Sequence, residues 1–451
     1  MRLKIIHEPK LGTTDMVLLL IFFIGIYLGV IVQITAKIPF PSAPSGVAGL
    51  FLLWRRRDDI VPAHLGALFG IVLLYLFASF CTGDLTGLSK RFTGLVQLTY
   101  SFVIGYAMFL TLLQASRAQL SRMFLGLSLF ILIGSLLESY AGLDRLSDAV
   151  RQKLYDSGIY EADMRDQLLY GKVRPKLFTS EPSAVTFGYT LFTFSWFVVS
   201  QHRRKLLLFV LLMAGGLVAM PGPTLLLGLL LLPPYYLFVL PDTPPIGNFG
   251  AGYRLAVLIF GSIVLLVFAV LGATVYAERL GQILNGNDPS FFYRVIGPAL
   301  VAFEVMKERP WAGAGLTGEN FIADLVMNVF VQSSHFSAGW RISKISEVLT
   351  NYFWLHWIYL GVVWGIITFA GVSIWLRLLG APSLLFCWIV WIVFGQASGA
   401  YVAPKTWVVL LLAAALSMLH QRVAVPVAPQ PAMPFGRPPR LRRRFGLAPQ
   451  V

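Results

Sequence analysis

The sequence predicts an all-α integral membrane protein with about twelve membrane-spanning helices. First, 57% of the 451 residues are apolar and only 13% are charged, whereas soluble domains have about 25% charged residues. Second, the apolar residues form stretches of about 20, the length that crosses a ~30 Å hydrocarbon layer as a helix. Third, backbone amides in lipid must be paired internally, so these stretches are expected to be helical.

Twelve stretches support this count. They are residues 16–35, 38–54, 61–83, 92–114, 123–142, 182–200, 206–220, 223–240, 255–276, 352–376, 382–400 and 403–419. Three of them (38–54, 206–220 and 223–240) are short or interrupted by proline, so the count can change by one or two.

Basic residues predict the orientation. Residues 55–57 and 203–205 fall on one side, together with the N-terminal segment and the arginines of the C-terminal tail. The short loops on the other side hold only Lys37, Lys90, Arg91 and Lys405. Because cytoplasmic loops are enriched in Lys and Arg, both termini are predicted to be cytoplasmic. The net charge of +15 is then partly a topology signal, and we expect no nucleic-acid partner.

The predicted membrane domain is 1–419. With this topology its two long hydrophilic loops, 143–178 and 277–351, project from the outer face. Residues 420–451 are rich in proline and arginine and are predicted to be a disordered cytoplasmic tail. Its arginine cluster either contacts anionic membrane lipids or is the last positive-inside signal.

The second long loop contains a predicted amphipathic helix. Asp288 is a favourable helix cap, and Pro289 suits the first helical position. Apolar residues then recur at helical spacing, at Ile296, Ala299, Leu300, Phe303 and Met306. Pro298 is expected to kink the helix or to reset its start. A turn rich in proline and glycine at 310–315 ends it, and we expect the helix to lie on the outer rim of the bundle.

The first long loop leads into the sixth span. Apolar residues at helical spacing predict a surface helix through Leu143, Leu146, Val150 and Leu154. A basic run then lies above the membrane, at Lys172, Arg174 and Lys176. Glu181 and Pro182 open the next helix, where the helix dipole favours a carboxylate. Glu138, an acidic residue in an apolar span, is expected to contact the basic residues of this loop.

Cationic side chains at the outer surface of the membrane suit a polyanionic head group. Arginine binds phosphate oxygens in pairs and stays charged. Arg174 and Arg294 precede different spans, so the bundle can bring them together around one diphosphate, which is a good leaving group once its charge is stabilised. This chemistry indicates glycosyl transfer from a lipid diphosphate sugar. Glu181 is the candidate general base for the acceptor hydroxyl.

Six more residues of these outer segments are candidates for substrate binding: Lys172, Lys176, Arg309, His335, Arg341 and Asn351. Every candidate has a structural alternative. An arginine at a membrane boundary can simply extend to head groups, Glu181 can be only a helix-start residue, and His335 can be a solvated loop residue. No group of His, Cys and Asp has metal-ligand spacing, and no nucleotide-binding motif has a supporting context, so we expect neither a metal nor a cofactor.

Three segments resemble the bacterial O-antigen polymerase and O-antigen ligase superfamily. YRVIGPALVAFEVMKERPWAGAG, residues 293–315, is similar to the family's arginine, amphipathic helix and P-x-x-G-x-G. RPKLFTSEPSAVTFGY, residues 174–189, is similar to its arginine and short polar turn into a helix, in the form seen in exopolysaccharide polymerases. TNYFWLHWIYLGVVWGIITF, residues 350–369, resembles the region after the large loop, where many members have His-Asn.

This resemblance implies the bundle of the C-type membrane glycosyltransferases. It implies polymerisation of undecaprenyl-diphosphate-linked repeat units into a surface polysaccharide or exopolysaccharide at the outer face of the bacterial inner membrane. Arg174 and Arg294 would hold the diphosphate, and a flippase and a chain-length regulator would be partners. Three departures stand out: Thr350 replaces the histidine of the ligases, Gly222-Pro223 stands where many members have Ser-Arg, and the repeated arginine-to-glycine spacing of some polymerases is not evident in the outer loops. The first departure favours a polymerase.

Two alternatives remain open. A ligase would transfer finished glycan to lipid A core or to protein. A transporter or flippase would move lipid-linked oligosaccharide across the membrane without chain growth. The chain has no clear internal repeat, and its charge is concentrated in the outer loops, which favours surface chemistry over transport.

Overall fold

The computed structural model describes residues 4–5, 9–35, 38–83, 87–156, 159–240, 259, 281, 285, 288–336, 344–421 and 423–424. The predicted span 255–276 lies outside the described residues except for Ile259. Arg341 and residues 425–451 of the predicted tail also lie outside them.

The protein is all-α. Its first helices, in chain order, are α1 Thr13–Leu28, α2 Ala43–Arg55, α3 Pro62–Phe80, α4 Leu88–Leu113, α5 Arg117–Tyr140, α6 Asp144–Leu154, α7 Asp163–Tyr170, α8 Pro182–Val199, α9 Lys205–Ala219, α10 Pro223–Leu229 and α11 Leu232–Phe238. The later ones are α12 Pro289–Phe291, α13 Gly297–Glu308, α14 Ala323–Gln332, α15 Ile345–Val348, α16 Tyr352–Leu378, α17 Leu384–Gly395 and α18 Pro404–Gln421.

Four short strands and three single turns complete the secondary structure of the described ranges. Strands β2 (Val32–Thr35) and β3 (Ile38–Phe40) form an antiparallel pair, and β1 (Lys4–Ile5) and β4 (Val423–Ala424) form a parallel pair. The turns are 3₁₀ at Arg57–Asp59 and Glu319–Ile322 and π-helical at Phe292–Ile296.

Four helices of the described chain are long and apolar enough to cross a membrane: α3, α4, α5 and α16. The protein is therefore a candidate multi-pass membrane protein. Each of the other predicted spans within the described ranges corresponds to a helix or, for 223–240, to the pair α10 and α11. Those helices are shorter, or less apolar, than the four that qualify.

Several predicted span boundaries were wrong, and two of them have a clear local cause. Span 16–35 extends too far, because α1 ends at Leu28 and Gly29 takes a left-handed conformation with φ of 67°. Glycine adopts this conformation at little cost, and the chain then turns into strand β2. Span 223–240 is not continuous, because prolines in the first turn of α11 start a new helix after α10.

The core lies around α8 and α18, whose residues are almost all buried. α18 packs against α4, α17 and α8, while α5 packs along α8 and α16 packs against α3. Trp375, Trp391 and Trp407 are among the largest fully buried side chains. The Phe102 ring contacts both Trp375 and Trp407, which joins α4 to the core.

The two ends of α8 differ in chemistry. At its C-terminal end, the Val198 carbonyl oxygen lies 3.2 Å from a ring nitrogen of His420. The Val199 carbonyl oxygen accepts a hydrogen bond from Nε of Arg117 at 3.2 Å. The N-terminal end, at Pro182, meets the two long loops. Arg117, which the basic-residue pattern assigns to the cytoplasmic side, therefore lies at the end of α8 opposite the long loops.

The turn at 310–315 docks into a break in helix α16. Gly361 has φ of 65° and ψ of −166°, which interrupts the helix. The N–H groups of Ala314 and Gly315 donate to the carbonyl oxygens of Ile358 and Tyr359 at 2.8 and 2.9 Å. In return, the Pro310 carbonyl oxygen accepts from Val362 and Val363 at 2.8 and 3.0 Å. The exposed backbone groups of both segments are thus satisfied by each other, as buried irregular backbone requires.

Residues of α4 fasten the same turn from the other side. Arg91, which is 1% exposed, donates from Nη2 to the carbonyl oxygen of Ala314 at 3.2 Å. Lys90 forms an ion pair with Glu319 at 3.3 Å, and the Tyr359 hydroxyl donates to the other oxygen of Glu319 at 3.0 Å. The second long loop is therefore anchored inside the bundle.

Helix α13 forms where the sequence predicts a helix, but the predicted buried face was wrong. Asp288 caps the segment as expected, accepting from the N–H groups of Ser290 and Phe291 at 2.9 and 3.1 Å. Pro298 lies in the first turn of α13, directly after the π-helical turn, so it resets the helix start. The buried residues are Gly297, Pro298, Val301, Ala302 and Val305, whereas Leu300 and Phe303 are exposed. Both faces of this helix are apolar, so spacing alone did not identify the inner one.

Candidate functional site

A cavity of about 140 Å³ lies at the N-terminal end of α8, between the two long loops. Arg174 and Glu181 line it from the segment that leads into α8, and Arg294 lines it from the π-helical turn before α13. Helix α7 contributes Arg165 and Tyr170, and the turn between α9 and α10 contributes a further wall. The three residues that the sequence analysis selected for catalysis therefore line one cavity.

Arg174 is fixed by the buried carboxylate of Asp166. Its Nη2 lies 2.8 Å from Oδ1 of Asp166, and its Nε donates to the same oxygen at 3.0 Å. The guanidinium also lies over the rings of Tyr170, at 4.7 Å, and Tyr160, at 5.6 Å. Burial lowers the pKa of Arg174, but Tyr170, Asp166 and Tyr160 together raise it above its ordinary value. The group stays charged while its position is fixed.

Glu181 stands at the first position before α8, in an extended conformation. Its carboxylate accepts a hydrogen bond from the Ser183 hydroxyl and does not cap the helix. Lys405, at the start of α18, interacts electrostatically with both Glu181 and Arg294, and its ammonium lies 3.8 Å from the centre of the Phe187 ring. The carboxylate is therefore placed among cations at the cavity wall.

The turn before Glu181 has an unusual backbone. Leu177 and Phe178 have φ of 29° and 64°, which non-glycine residues rarely adopt. Such conformations cost about 1–3 kcal/mol each and persist only where surrounding contacts hold them. Local strain of this kind is common at functional sites, and here it lies between two cavity residues, Arg174 and Glu181.

Side chains from three helices hold this turn. Glu138 of α5 accepts from the N–H groups of Lys176 and Leu177 at 2.8 and 2.6 Å. Glu138 thus contacts the basic segment as expected, although through the backbone and not through an ammonium group. The Tyr27 hydroxyl of α1 donates to the Leu177 carbonyl oxygen at 2.9 Å, and the Ser147 hydroxyl of α6 accepts from the Phe178 N–H at 3.0 Å.

Arg151 of α6 holds the next two residues. This side chain is 2% exposed and donates from Nε to the carbonyl oxygen of Thr179 at 2.7 Å. Its Nη2 donates to the carbonyl oxygen of Ser180 at 3.1 Å. The predicted surface helix of the first loop is thus confirmed, and its buried arginine fixes the backbone that carries Glu181.

Arg294 is positioned by Thr350 and Asn351. The N–H and hydroxyl of Thr350 donate to the carbonyl oxygen of Tyr293 at 3.2 and 3.0 Å. Nδ2 of Asn351 donates to the carbonyl oxygen of Arg294 at 2.7 Å and to Oε1 of Gln396 at 2.9 Å. Oδ1 of Asn351 caps α16 by accepting from Phe353 and Trp354 at 3.1 and 3.4 Å. Asn351 is fully buried and holds Arg294 through the backbone.

The other candidate binding residues that the structure describes do not line this cavity. Lys172 donates to the carbonyl oxygen of Val218 and lies against Tyr140, and Lys176 forms an ion pair with Asp163 at 2.8 Å. Arg309 and His335 are exposed, at the end of α13 and after α14. Arg341 lies outside the described residues.

The cavity wall also contains Gly222 and Pro223, where the resemblance leads one to expect Ser-Arg. A Cβ on Gly222 would lie 2.9 Å from Cγ2 of Thr186, so a side chain here would require Thr186 to shift. Across the described residues, no three His, Cys, Asp or Glu side chains are grouped to hold a metal ion.

A second cavity, of about 320 Å³, is apolar. Its lining includes Leu28 of α1, Phe130 of α5, Leu154 of α6 and Phe178, which precedes Glu181 by three residues. Phe130 is 52% exposed at the surface of α5. An apolar space of this kind suits a hydrocarbon tail.

Sequence reasoning missed the contribution of α7. Arg165, Leu169 and Tyr170 of this helix line the cavity together with Tyr160, which precedes it, and Asp166 orients Arg174. The signal available in the sequence was the mixed charge of DMRDQLLY after a surface helix, and this pattern is also common on solvated surfaces. No protein-family model matches the chain, and no curated protein matches it.

Proposed function

We propose that the protein is a membrane glycosyltransferase that polymerises lipid-diphosphate-linked oligosaccharide repeat units at the outer face of the bacterial inner membrane. The observation that carries this proposal is the shared cavity of Arg174, Glu181 and Arg294, which come from two separate loops. Two guanidinium groups and one carboxylate are the groups that a diphosphate leaving group and an attacking hydroxyl require.

The proposed reaction is a single displacement. The terminal sugar hydroxyl of one repeat unit attacks the anomeric carbon of the glycan on a second lipid diphosphate. As the new C–O bond forms, the bond from the anomeric carbon to the phosphate oxygen breaks, and its electron pair leaves with the diphosphate. Glu181 takes the hydroxyl proton, and the arginines stabilise the charge on the departing diphosphate. The stereochemistry at the anomeric carbon inverts.

The lipid part of the proposed substrate is supported by the apolar cavity beside Phe178. Polymerase is favoured over ligase by Thr350, which uses both its N–H and its hydroxyl to hold the Tyr293 carbonyl oxygen. In ligases that the sequence resembles, this position typically carries a histidine, and a threonine cannot replace its acid–base chemistry at neutral pH.

The first experiment is to produce Arg174→Ala and Arg294→Ala in the native host and to measure the yield and length of its surface polymer. We expect both variants to lose polymer at normal protein levels. Arg145→Ala is the matched control, because Arg145 is an exposed arginine of α6 outside the cavity. Normal polymer from both cavity variants would count against the proposed mechanism.

A second experiment separates the alternatives with purified protein and lipid-linked repeat units. A ladder of product lengths supports polymerisation. Transfer to lipid A core or protein without a ladder would indicate a ligase, and movement of the lipid between leaflets without chain growth would indicate a transporter.

A further inference from the structure

Helix α7 brings a third guanidinium to the cavity. Arg165 lines it together with Arg174 and Arg294, and each of the three comes from a different segment. Arg174 and Arg165 differ in how a protein carboxylate balances their charge, and this difference bears on which of the two contacts a ligand.

Arg174 is largely committed to the protein. Its side chain is only 12% exposed, and the carboxylate that it contacts, Asp166, is fully buried. Two aromatic rings lie against its guanidinium. An anion in the cavity would compete with Asp166 for this group, so its contribution to binding a diphosphate is partly cancelled.

Arg165 is held more loosely. Its side chain is 40% exposed, and its Nη2 lies 3.6 Å from Oδ1 of Asp288. That distance exceeds hydrogen-bond range. The same oxygen of Asp288 already accepts from the N–H groups of Ser290 and Phe291. Asp288 therefore orients Arg165 by charge, while the guanidinium keeps donors for a ligand.

Asp288 also begins the helical segment that carries Arg294. The contact between Arg165 and Asp288 consequently joins α7 to that segment and sets two arginines on the same cavity. Gly222 and Pro223 offer no charge in the neighbouring wall. Arg165 of α7 therefore supplies a positive charge that the turn between α9 and α10 lacks.

We infer that Arg165 is a direct phosphate-binding residue for the diphosphate group of the lipid-linked substrate. This inference rests on the proposed function. Arg165 adds its paired N–H donors to those of Arg294, while the donors of Arg174 are shared with Asp166.

The test measures binding of farnesyl diphosphate, a short polyprenyl diphosphate, to the purified full chain in detergent by calorimetry. Arg165→Ala is expected to weaken binding by about tenfold or more, the loss of one or more charged hydrogen bonds. Arg165→Lys keeps the charge but loses the paired donors, so a smaller loss is expected. Arg145→Ala, from the exposed face of α6, is expected to bind within about twofold of the unsubstituted protein.

Unfolding curves recorded in parallel show whether each variant is folded, and Arg165→Lys carries the test if Arg165→Ala is not. If Arg294→Ala weakens binding and both Arg165 variants bind normally, the role of Arg165 is refuted while the proposed function stands. If neither Arg294→Ala nor the Arg165 variants change binding, or if the unsubstituted chain does not bind, the cavity is not a diphosphate site and the proposed function fails with it.

Discussion

The carbonyl oxygen of Pro310 accepts a hydrogen bond from the N–H of Val362 at 2.8 Å. These residues belong to a loop turn and to a long apolar helix, and the bond forms where Gly361 breaks that helix. A Cβ on Gly361 would lie 2.7 Å from the carbonyl oxygens of Arg309 and Pro310. The turn at 310–315 is therefore shaped to fit the break in α16.

Gly361→Ala is expected to destabilise the protein by about 3 kcal/mol, because the backbone strain and the steric clash act together. Thermal unfolding in detergent measures the effect. Gly126→Ala is the control, since a Cβ at Gly126 in α5 meets nothing within 4 Å. It should be neutral or raise stability by up to about 1 kcal/mol, as Gly-to-Ala changes in helices do. Equal effects of the two substitutions would contradict this account of the break.

The pair of Asp166 and Arg174 is expected to be strongly coupled. Asp166→Ala should cost about 3 kcal/mol of unfolding free energy, because it leaves a largely buried guanidinium without its partner. In a double-mutant cycle with Arg174→Ala, we expect a coupling energy of about 1–3 kcal/mol. The exposed pair Glu304 and Lys307, 3.2 Å apart, is the comparison and should couple by less than about 0.5 kcal/mol. Additive effects of the two substitutions at Asp166 and Arg174 would show that the pair has no such role.

Glu138 is expected to stabilise the turn at 176–178. Glu138→Ala removes the acceptor of two backbone N–H groups and should lower stability by about 3 kcal/mol. Glu138→Gln keeps one acceptor oxygen, so an intermediate loss is expected. Protease cleavage within the loop and unfolding in detergent are the measurements, with Glu308→Ala on the exposed end of α13 as control. A Glu138→Ala protein as stable and as resistant as this control would refute the role.

Substitution of Asn351 is expected to affect stability and ligand binding, whereas substitution of Arg309 or His335 is not. Asn351→Ala should lower stability by about 1–2 kcal/mol through loss of the helix cap, and it should weaken farnesyl diphosphate binding because Arg294 loses its support. Arg309→Ala and His335→Ala should change neither property, since both side chains are exposed away from the cavity. A loss of binding in either of the latter two would move the ligand site along the second loop.

The buried hydroxyl of Tyr155 is expected to make the stability of the protein depend on pH above about pH 10. Burial raises the pKa of its hydroxyl to about 12, although Arg151 lowers it somewhat. The hydroxyl donates to the carbonyl oxygens of Leu28 and Phe178 at 2.6 and 3.1 Å. The unfolded chain loses this proton near pH 10, so the stabilisation is complete below about pH 10 and is lost as the pH rises towards 12.

Unfolding in detergent between pH 9 and 11 should therefore show a steeper loss of stability in the unsubstituted protein than in Tyr155→Phe. Tyr140→Phe, at a side chain that is 69% exposed, serves as control. Parallel curves for all three proteins would mean that Tyr155 does not keep its proton on folding.

Much of the helical architecture could be predicted from the sequence. The length of an apolar stretch, a capping residue such as Asp288 and a breaker such as Pro298 act over a few neighbouring residues, so their effect can be read locally. The same local information failed for α13, where both faces are apolar and only tertiary packing distinguishes the buried Val301 from the exposed Phe303.

For the candidate site, the sequence identified some of the charged residues but not the partners that position them. Arg174, Glu181 and Arg294 are identifiable as unusual groups beside apolar spans, and all three line the cavity. Arg165, Asp166 and Arg151 were not identifiable, because a charged residue on a short loop helix has the same local pattern whether it faces water or a buried partner. The tertiary structure decided their roles, since burial and the pairing of backbone groups distant in sequence, such as Pro310 with Val362, depend on the whole bundle.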